Sequence, residues 1–254
     1  MYKIDLNCDL GESFGVYKIG MDHKIIPYIT SANIACGFHA SDPIVMDETV
    51  KLAADHKVSI GAHPGYADLV GFGRRNMNIT PKEAKAMMQY QIGALLSFCS
   101  VHKVTMQHVK PHGAFYNMAC KDTDLARAVC EGIYEVNPKL ILLAQSGSKM
   151  IQEAEKIGLK TASEVFADRA YEDDGTLVAR TKPGAMITDS ELAIQQVISM
   201  IKEGKVKTIN GRYIDIKADS VCVHGDGANA LEFVSRLREV FDKESIEVVP
   251  ISRL

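Results

Sequence analysis

Short apolar or alternating runs recur along this chain between longer helical patterns, and nearly every run ends in an unusual cluster of polar and ionisable residues while its beginning is bland. This rhythm is that of parallel strands joined by crossover helices. In barrels and doubly wound sheets alike, the ligand site lies at the carboxyl ends of such strands. The clusters are therefore expected to meet in space. The strand candidates are Tyr2 to Asp9, Thr30 to Ala35, Val58 to Ala62, Thr105 to Lys110, Leu140 to Ala144, Thr161 to Phe166 and Ser220 to His224, and Ile246 to Val249 offers an eighth. With 254 residues and no internal repeat, low-complexity tract or linker, the expectation is one α/β barrel domain spanning 1–254.

Helix signals between the runs support this reading. Thr80-Pro81-Lys82-Glu83 reads as a capping box with proline at the first helical position, followed by Met87, Met88, Leu95 and Leu96 on one face. Thr188 with Glu191 reads as the same device, with Gly204 as the left-handed stop. Asp42-Pro43 and Asn229 with Glu232 open two further helices. Val206 to Ile209 and Arg212 to Ile216, joined by Asn210-Gly211, read as a type I′ hairpin.

Composition removes several function classes. A net charge of −3 without a basic block gives no footprint for nucleic acid. No apolar run approaches the roughly 20 residues that span a bilayer, and the start, Met1-Tyr2-Lys3-Ile4-Asp5, lacks a signal-peptide core, so a cytoplasmic location is expected. The six cysteines (Cys8, Cys36, Cys99, Cys120, Cys130 and Cys222) form no CxxC pair and are expected as reduced, mostly buried thiols.

In the first run Ile4, Leu6 and Cys8 alternate with Asp5, Asn7 and Asp9, so three polar groups share a face that cannot be an ordinary apolar core, and Glu12 follows. The bland alternative is a satisfied polar network or a helix cap. Asn33 and His39 close the second run, and Gly61-Ala62-His63-Pro64-Gly65 closes the third. Lys110-Pro111-His112-Gly113 and His224-Gly225-Asp226-Gly227 add two more histidines. A lone histidine is more often structural, but four of eight at strand ends exceed surface scatter. Gly71-Phe72-Gly73-Arg74-Arg75 could bring a guanidinium to a carboxylate or phosphate, or one arginine could form a structural ion pair. Glu164 to Arg169 closes the sixth run, and the long loop after it, through Tyr171, Asp174, Gly175 and Arg180, reads as a lid or partner surface.

GxxxxGK[ST], GxGxxG after a strand, GxSxG and HExxH are all absent, so any nucleotide is bound in a non-standard way or by another chain. Asp9, His39 and His63 could bind a divalent metal, since a carboxylate with two imidazoles is a common open hydrolytic set. Metal-free acid/base catalysis by the same residues is equally open.

Seven blocks in order over the whole length resemble the LamB/YcsF family, known as the A subunit of the prokaryotic ATP-dependent 5-oxoprolinase. They are Asp5 to Glu12 (DLNCDLGE), Asn33 to Asp42 (NIACGFHASD), Gly61 to Tyr66 (GAHPGY), Gly71 to Arg75 (GFGRR), Val109 to Asn117 (VKPHGAFYN), Glu164 to Arg169 (EVFADR) and Val223 to Asp226 (VHGD). Ser41 stands where glycine is expected and Ala67 where proline is expected. The resemblance implies a seven-stranded TIM-like (β/α) barrel of the glycoside hydrolase/deacetylase type. It also implies hydrolysis of 5-oxo-L-proline to L-glutamate coupled to ATP with Mg²⁺, and two partner subunits, B and C.

Within that resemblance, Asp9 with His39 or His63 would orient or deprotonate the attacking water, and His112 and Lys110 would stabilise developing charge. Arg74 or Arg169 would hold the substrate carboxylate. Asn7, Asn33, Glu164, His224 and Asp226 complete the expected substrate site. The alternatives are a metal-dependent carbohydrate deacetylase and a non-catalytic subunit that binds 5-oxoproline.

Overall fold

The computed structural model describes residues 2–223 and 230–254. Seven parallel strands close into a barrel: β1 (Tyr2–Leu10), β2 (Ser31–Ala35), β3 (Ser59–His63), β4 (Met106–Val109), β5 (Ile141–Gln145), β6 (Lys160–Phe166) and β9 (Ser220–Val223). The seam is β9, which pairs with β6 through Glu164↔Ser220 and with β1 through Asn7↔Cys222. The eighth run forms β10 (Ile246–Val248), which pairs with Tyr2 to Ile4 of β1, just before the β1–β9 pairing begins at Asp5. It thus extends β1 below the ring without joining it. The expected strand in 220–224 lies in the described residues only as far as Val223.

Crossover helices cover the outside: α2 (Pro43–Asp55), α3 (Pro81–Val101), α5 (Thr123–Val136), α6 (Lys149–Lys156), α7 (Ser190–Lys202) and α8 (Ala230–Lys243), with short α1 (Asp22–Ile25) and α4 (Gly113–Ala119) at the rim. Thr80 and Glu83 make the reciprocal capping box that opens α3, and Asp42 accepts from the Ile44 and Val45 amides to open α2. At α7 the expected cap at Thr188 is corrected: Asp189 takes that place and accepts from the Glu191 and Leu192 amides. A carboxylate one residue later reaches the same orphan donors, so the Thr188 hydroxyl is not needed. Gly204 stops that helix with φ +63. The expected cap at Asn229 lies outside the described residues.

The expected type I′ hairpin is also corrected. β7 (Lys205–Lys207) pairs with β8 (Tyr213–Asp215), and the Thr208 amide donates to the Arg212 carbonyl, leaving residues 209–211 in the loop. A three-residue loop needs left-handed backbone at one position, and Gly211 supplies it with φ +83. The backbone at Ser41 explains the glycine expected there. Its φ of +73 lies in the left-handed region, where a side chain costs about 1–2 kcal/mol.

The strands bury both faces. Ile4, Leu6, Cys8 and Leu10 of β1 join the apolar core beneath the helices, while Asp5, Asn7 and Asp9 point into a polar barrel interior. At the bottom of that interior Asp5 is fully enclosed, receiving hydrogen bonds from Thr30 Oγ1 (2.8 Å), Ser31 Oγ (2.6 Å) and Ser220 Oγ. All six cysteines are free and buried. Among the described residues no helix is long and apolar enough to cross a membrane.

Burial raises the Asp5 carboxyl to about 6, its three hydroxyl donors only partly opposing the shift. The folded state therefore holds a proton that the unfolded chain releases near the ordinary aspartate value. Stability from this group is full below that value and is lost as pH rises through about 6. Urea unfolding of wild type and Asp5→Asn should show the wild type losing roughly 2 kcal/mol relative to the variant between pH 4.5 and 7.5. A pH-independent difference would mean that Asp5 does not titrate in this window.

Candidate active site

Above Asp5 the interior is layered. Asn7 Nδ2 donates to Ser220 Oγ at 2.8 Å, and Asn33 Nδ2 donates to Asn7 Oδ1 and to Asp9 Oδ1, each at 2.8 Å. His108 Nε2 donates to Asn33 Oδ1 at 2.8 Å. Its ring lies where a side chain on residue 61 would be: a Cβ on Gly61 would sit 2.2 Å from His108 Nε2. The glycine in the third strand is thus required by close approach. Burial, and then the charge of Lys110, push His108 down to about 3, so it is neutral.

One layer higher, Lys110 Nζ lies 2.7 Å from Glu164 Oε1, 3.0 Å from Asp9 Oδ1, 3.2 Å from Asn7 Oδ1 and 3.3 Å from Cys222 Sγ. Tyr116 donates to Glu164 Oε2 at 2.6 Å. Burial alone would lower the Lys110 ammonium, but the carboxylates of Asp9 and Glu164 outweigh it and hold it well above the usual lysine range. Lys110 is accordingly a fixed cation and not a base. The Cys222 thiol is pushed well up by burial and stays neutral. Asp9 differs from Glu164 in reach: its side chain is 19% exposed, whereas that of Glu164 is 0% exposed.

At the mouth stand three histidines and Glu12. His63 Nδ1 meets the Lys110 carbonyl at 2.7 Å and His112 Nε2 meets the Phe72 carbonyl at 2.8 Å. Carbonyls only accept, so those two nitrogens carry the protons and the opposite ones are bare in the neutral rings. The bare pair, His63 Nε2 and His112 Nδ1, face each other at 3.0 Å, with Asp9 Oδ2 3.3 Å from His63 Nε2. His39 stacks on His112 at 3.6 Å with the rings nearly parallel, and its Nε2 lies 3.6 Å from Glu12 Oε1. Burial, followed by the neighbouring imidazoles, pushes His39 well below its ordinary value, and burial and His63 bring His112 to about 3. Gly73, with φ +62, lets the loop after β3 lie on these rings; a Cβ there would come within 2.7 Å of His39 Cβ.

These groups floor a pocket of about 750 Å³ whose lining includes Asp9, Glu12, His63, Lys110 and His112, with Arg74, Arg169 and Arg180 on its walls. Arg75, by contrast, is bound to Asp68 and is the structural ion pair of its loop. Arg74 stays by the pocket, over the Phe72 ring at 5.0 Å. Arg169 donates to the Val178 carbonyl at 2.7 Å, tying the long 169–187 segment down as a wall of the pocket. Burial, then Arg180, lowers the Arg169 guanidinium.

The structure therefore brings Asp9, His63, Lys110, His112, Arg74 and Arg169 to one cavity. Asn7, Asn33 and Glu164 lie beneath it, fully buried, where they orient Asp9 and Lys110 and do not face the pocket. His39 lies behind His112 with no exposed surface. His112 has its only ring proton committed to Phe72, so toward the pocket it presents an acceptor nitrogen. His224 and Asp226 lie outside the described residues. His108, Tyr116 and Cys222 are not among the site residues expected from the sequence, which also gives no sign that Glu12 joins the histidines.

Breaking a buried ion pair by removing one partner typically costs 3–5 kcal/mol. Lys110→Met should destabilise the fold by about that amount, because it leaves two carboxylates without their cation, and adding Glu164→Gln should recover part of the loss. Chemical denaturation of the two variants checks this; equal stability of both single and double variants to wild type would remove the triad from the stabilising framework.

Comparison with known proteins extends the picture. The LamB/YcsF family profile matches residues 4–254. The chain is 69% identical over 254 residues to the 5-oxoprolinase A subunit of Clostridium beijerinckii, covering 100% of both chains. It is 56% identical over 252 residues to the 5-oxoprolinase A subunit of Bacillus subtilis, covering 99% of this chain and 98% of the relative. The crystal structure of the lactam utilization protein from Thermus thermophilus superposes with a TM-score of 0.92 at 43% identity, covering 97% of this chain and 99% of that one.

Proposed function

Because the chain belongs to the LamB/YcsF family, we propose that it is the ring-opening subunit of an ATP-dependent 5-oxoprolinase, converting 5-oxo-L-proline to L-glutamate. The observation that carries this reading is a carboxylate, Asp9, held at the pocket floor by a buried cation and standing beside the bare Nε2 of His63. The names of the relatives, each the A subunit of a 5-oxoprolinase, support the substrate. They lend nothing to the carbohydrate deacetylase or to a protein that only delivers a ligand.

An unstrained lactam resists water, so the energy of ATP is used to make it electrophilic. In this reading the lactam oxygen takes the γ-phosphoryl group from Mg²⁺-bound ATP, releasing ADP. Water then adds to the activated ring carbon, giving its proton to the Asp9 carboxylate. The carbon–nitrogen bond breaks as nitrogen takes up a proton, and a second water releases phosphate from the resulting acyl phosphate. In this reading Arg74 or Arg169, both on the pocket walls, receives the substrate carboxylate.

Lys110 acts as the ion-pair partner that fixes Asp9 and by its field. Its hydrogen bonds to Asp9, Asn7 and Cys222 already occupy its three protons, so contact with a substrate oxygen would displace the long Cys222 partner. The chain lacks a standard phosphate loop, which is why the B and C subunits are assigned the nucleotide site; the use of ATP, an intracellular co-substrate, points to the cytoplasm as the place of action.

The test is glutamate release from 5-oxoproline, ATP and Mg²⁺ by the chain alone and with its B and C partners. Release is expected only from the complete mixture, and Asp9→Asn in that mixture should lower kcat by roughly 10²–10⁴-fold with the circular-dichroism spectrum unchanged. Near-normal turnover by the folded variant would remove Asp9 from the chemistry. Absence of glutamate from a fully folded wild-type mixture would overturn the substrate.

A further inference from the structure

The ligand atoms of Glu12, His39, His63 and His112 all lie within 4.8 Å of one another, three of the four residues being buried. We propose that these residues form a binding site for one divalent transition-metal ion of the zinc type, distinct from the Mg²⁺ that accompanies ATP. The site stands on geometry and is independent of the lactam reading.

Four donors held 2.0–2.1 Å from one ion in a tetrahedron stand about 3.3 Å apart. The observed spacings bracket that value: His63 Nε2 to His112 Nδ1 is 3.0 Å, His39 Nε2 to Glu12 Oε1 is 3.6 Å and His112 Nδ1 to Glu12 Oε1 is 3.8 Å.

The outer nitrogens strengthen the case. His63 Nδ1 and His112 Nε2 each give their proton to a backbone carbonyl, the arrangement that fixes the tautomer and aim of metal-bound imidazoles. Their opposite nitrogens then turn two lone pairs toward each other, which is attractive only with something positive between them. A single shared proton would satisfy that one contact and leave His39 unexplained. His39 is fully buried, yet among the described residues neither of its ring nitrogens has a hydrogen-bond partner, and one of them is aimed into the cluster. Leaving both unmade is costly. A cation at the centre satisfies the inward nitrogen of each of the three imidazoles and the carboxylate together.

The donor set decides the class of ion. Three imidazoles and one carboxylate suit zinc, cobalt or nickel, whereas magnesium prefers oxygen ligands and retained water. The four residues come from the loop after β1, the loop after β2, the end of β3 and the start of α4, so a bound ion would staple four successive crossings at the barrel mouth.

The chelator-stripped protein should be titrated with Co²⁺ and followed by visible absorption and thermal unfolding, neither of which needs substrate or partner subunits. One equivalent should produce d–d bands and raise Tm, Zn²⁺ should displace it, and a large excess of Mg²⁺ should not. His39→Ala and Glu12→Gln should each weaken binding by at least about 100-fold, while His102→Ala, at the surface pair with Asp47, should leave it unchanged. Glu12 sits at the rim, so its variant tests the site even if His39→Ala fails to fold. Absence of the bands in folded wild type, or their survival in both site variants, would overturn the proposal. Loss of lactam turnover with the bands intact would leave it standing.

Discussion

Lys110 neutralises two carboxylates inside a closed barrel, and the surrounding structure follows from what that burial demands. An isolated charge in such an interior would cost many kcal/mol, and an ion pair repays this only when its remaining lone pairs and protons are also satisfied. Asn7, Asn33, Tyr116 and Ser220 do the satisfying: each gives a proton to the triad or to a residue within the same network. The usual apolar filling of a barrel interior is thereby displaced. Hydrophobic stabilisation comes from the other face of the strands, where Ile4, Leu6, Ile34 and Val165 pack beneath the helices.

The same economy of space sets the backbone. Four imidazoles and a lysine converge on a ring of only seven strands, and they fit because neighbouring positions carry no side chain. Gly61 yields its Cβ volume to the His108 ring, and Gly73 yields its own to His39 and His112. Stacked and buried, His39 and His112 are neutral at physiological pH, so they present lone pairs and not charges to the mouth. Positive charge near the pocket comes instead from Lys110 below and from the arginines and Lys121 on the walls.

Much of this was legible in the sequence because strand periodicity is strict. Alternation in Asp5, Asn7 and Asp9 can place polar groups only on one face, and polar residues at strand ends can only gather at one rim. The strand limits differ from the expected ones by a residue or so at either end. What was not legible depends on three-dimensional neighbours. His108 sits inside an ordinary-looking Met-Gln-His-Val strand, and nothing local marks its contact with Asn33. Arg74 and Arg75 are adjacent and alike, and only the position of Asp68 separates a pocket residue from a structural one. The Asn210-Gly211 dipeptide signals a tight turn, but the register of β7 against β8 decides its length. Glu12 reads as one more acid after the first strand until the loop folds it back against the histidines.

Depth then sorts the acids by the work each can do. Asp5, at the bottom, is held by hydroxyl donors, and burial keeps its carboxyl inclined to stay protonated. Glu164, higher in the barrel, has its cation but no access to the pocket; both oxygens are engaged by Lys110 and Tyr116. Asp9 shares that cation through Oδ1 yet turns Oδ2 toward His63 and the cavity. A group that is to exchange a proton with a bound water needs both a reason to stay ionised and an oxygen that reaches the substrate. Asp9 alone of these three acids has both, and its place at the end of β1, where the interior network meets the pocket, follows from the two-residue period that stacks it above Asn7 and Asp5.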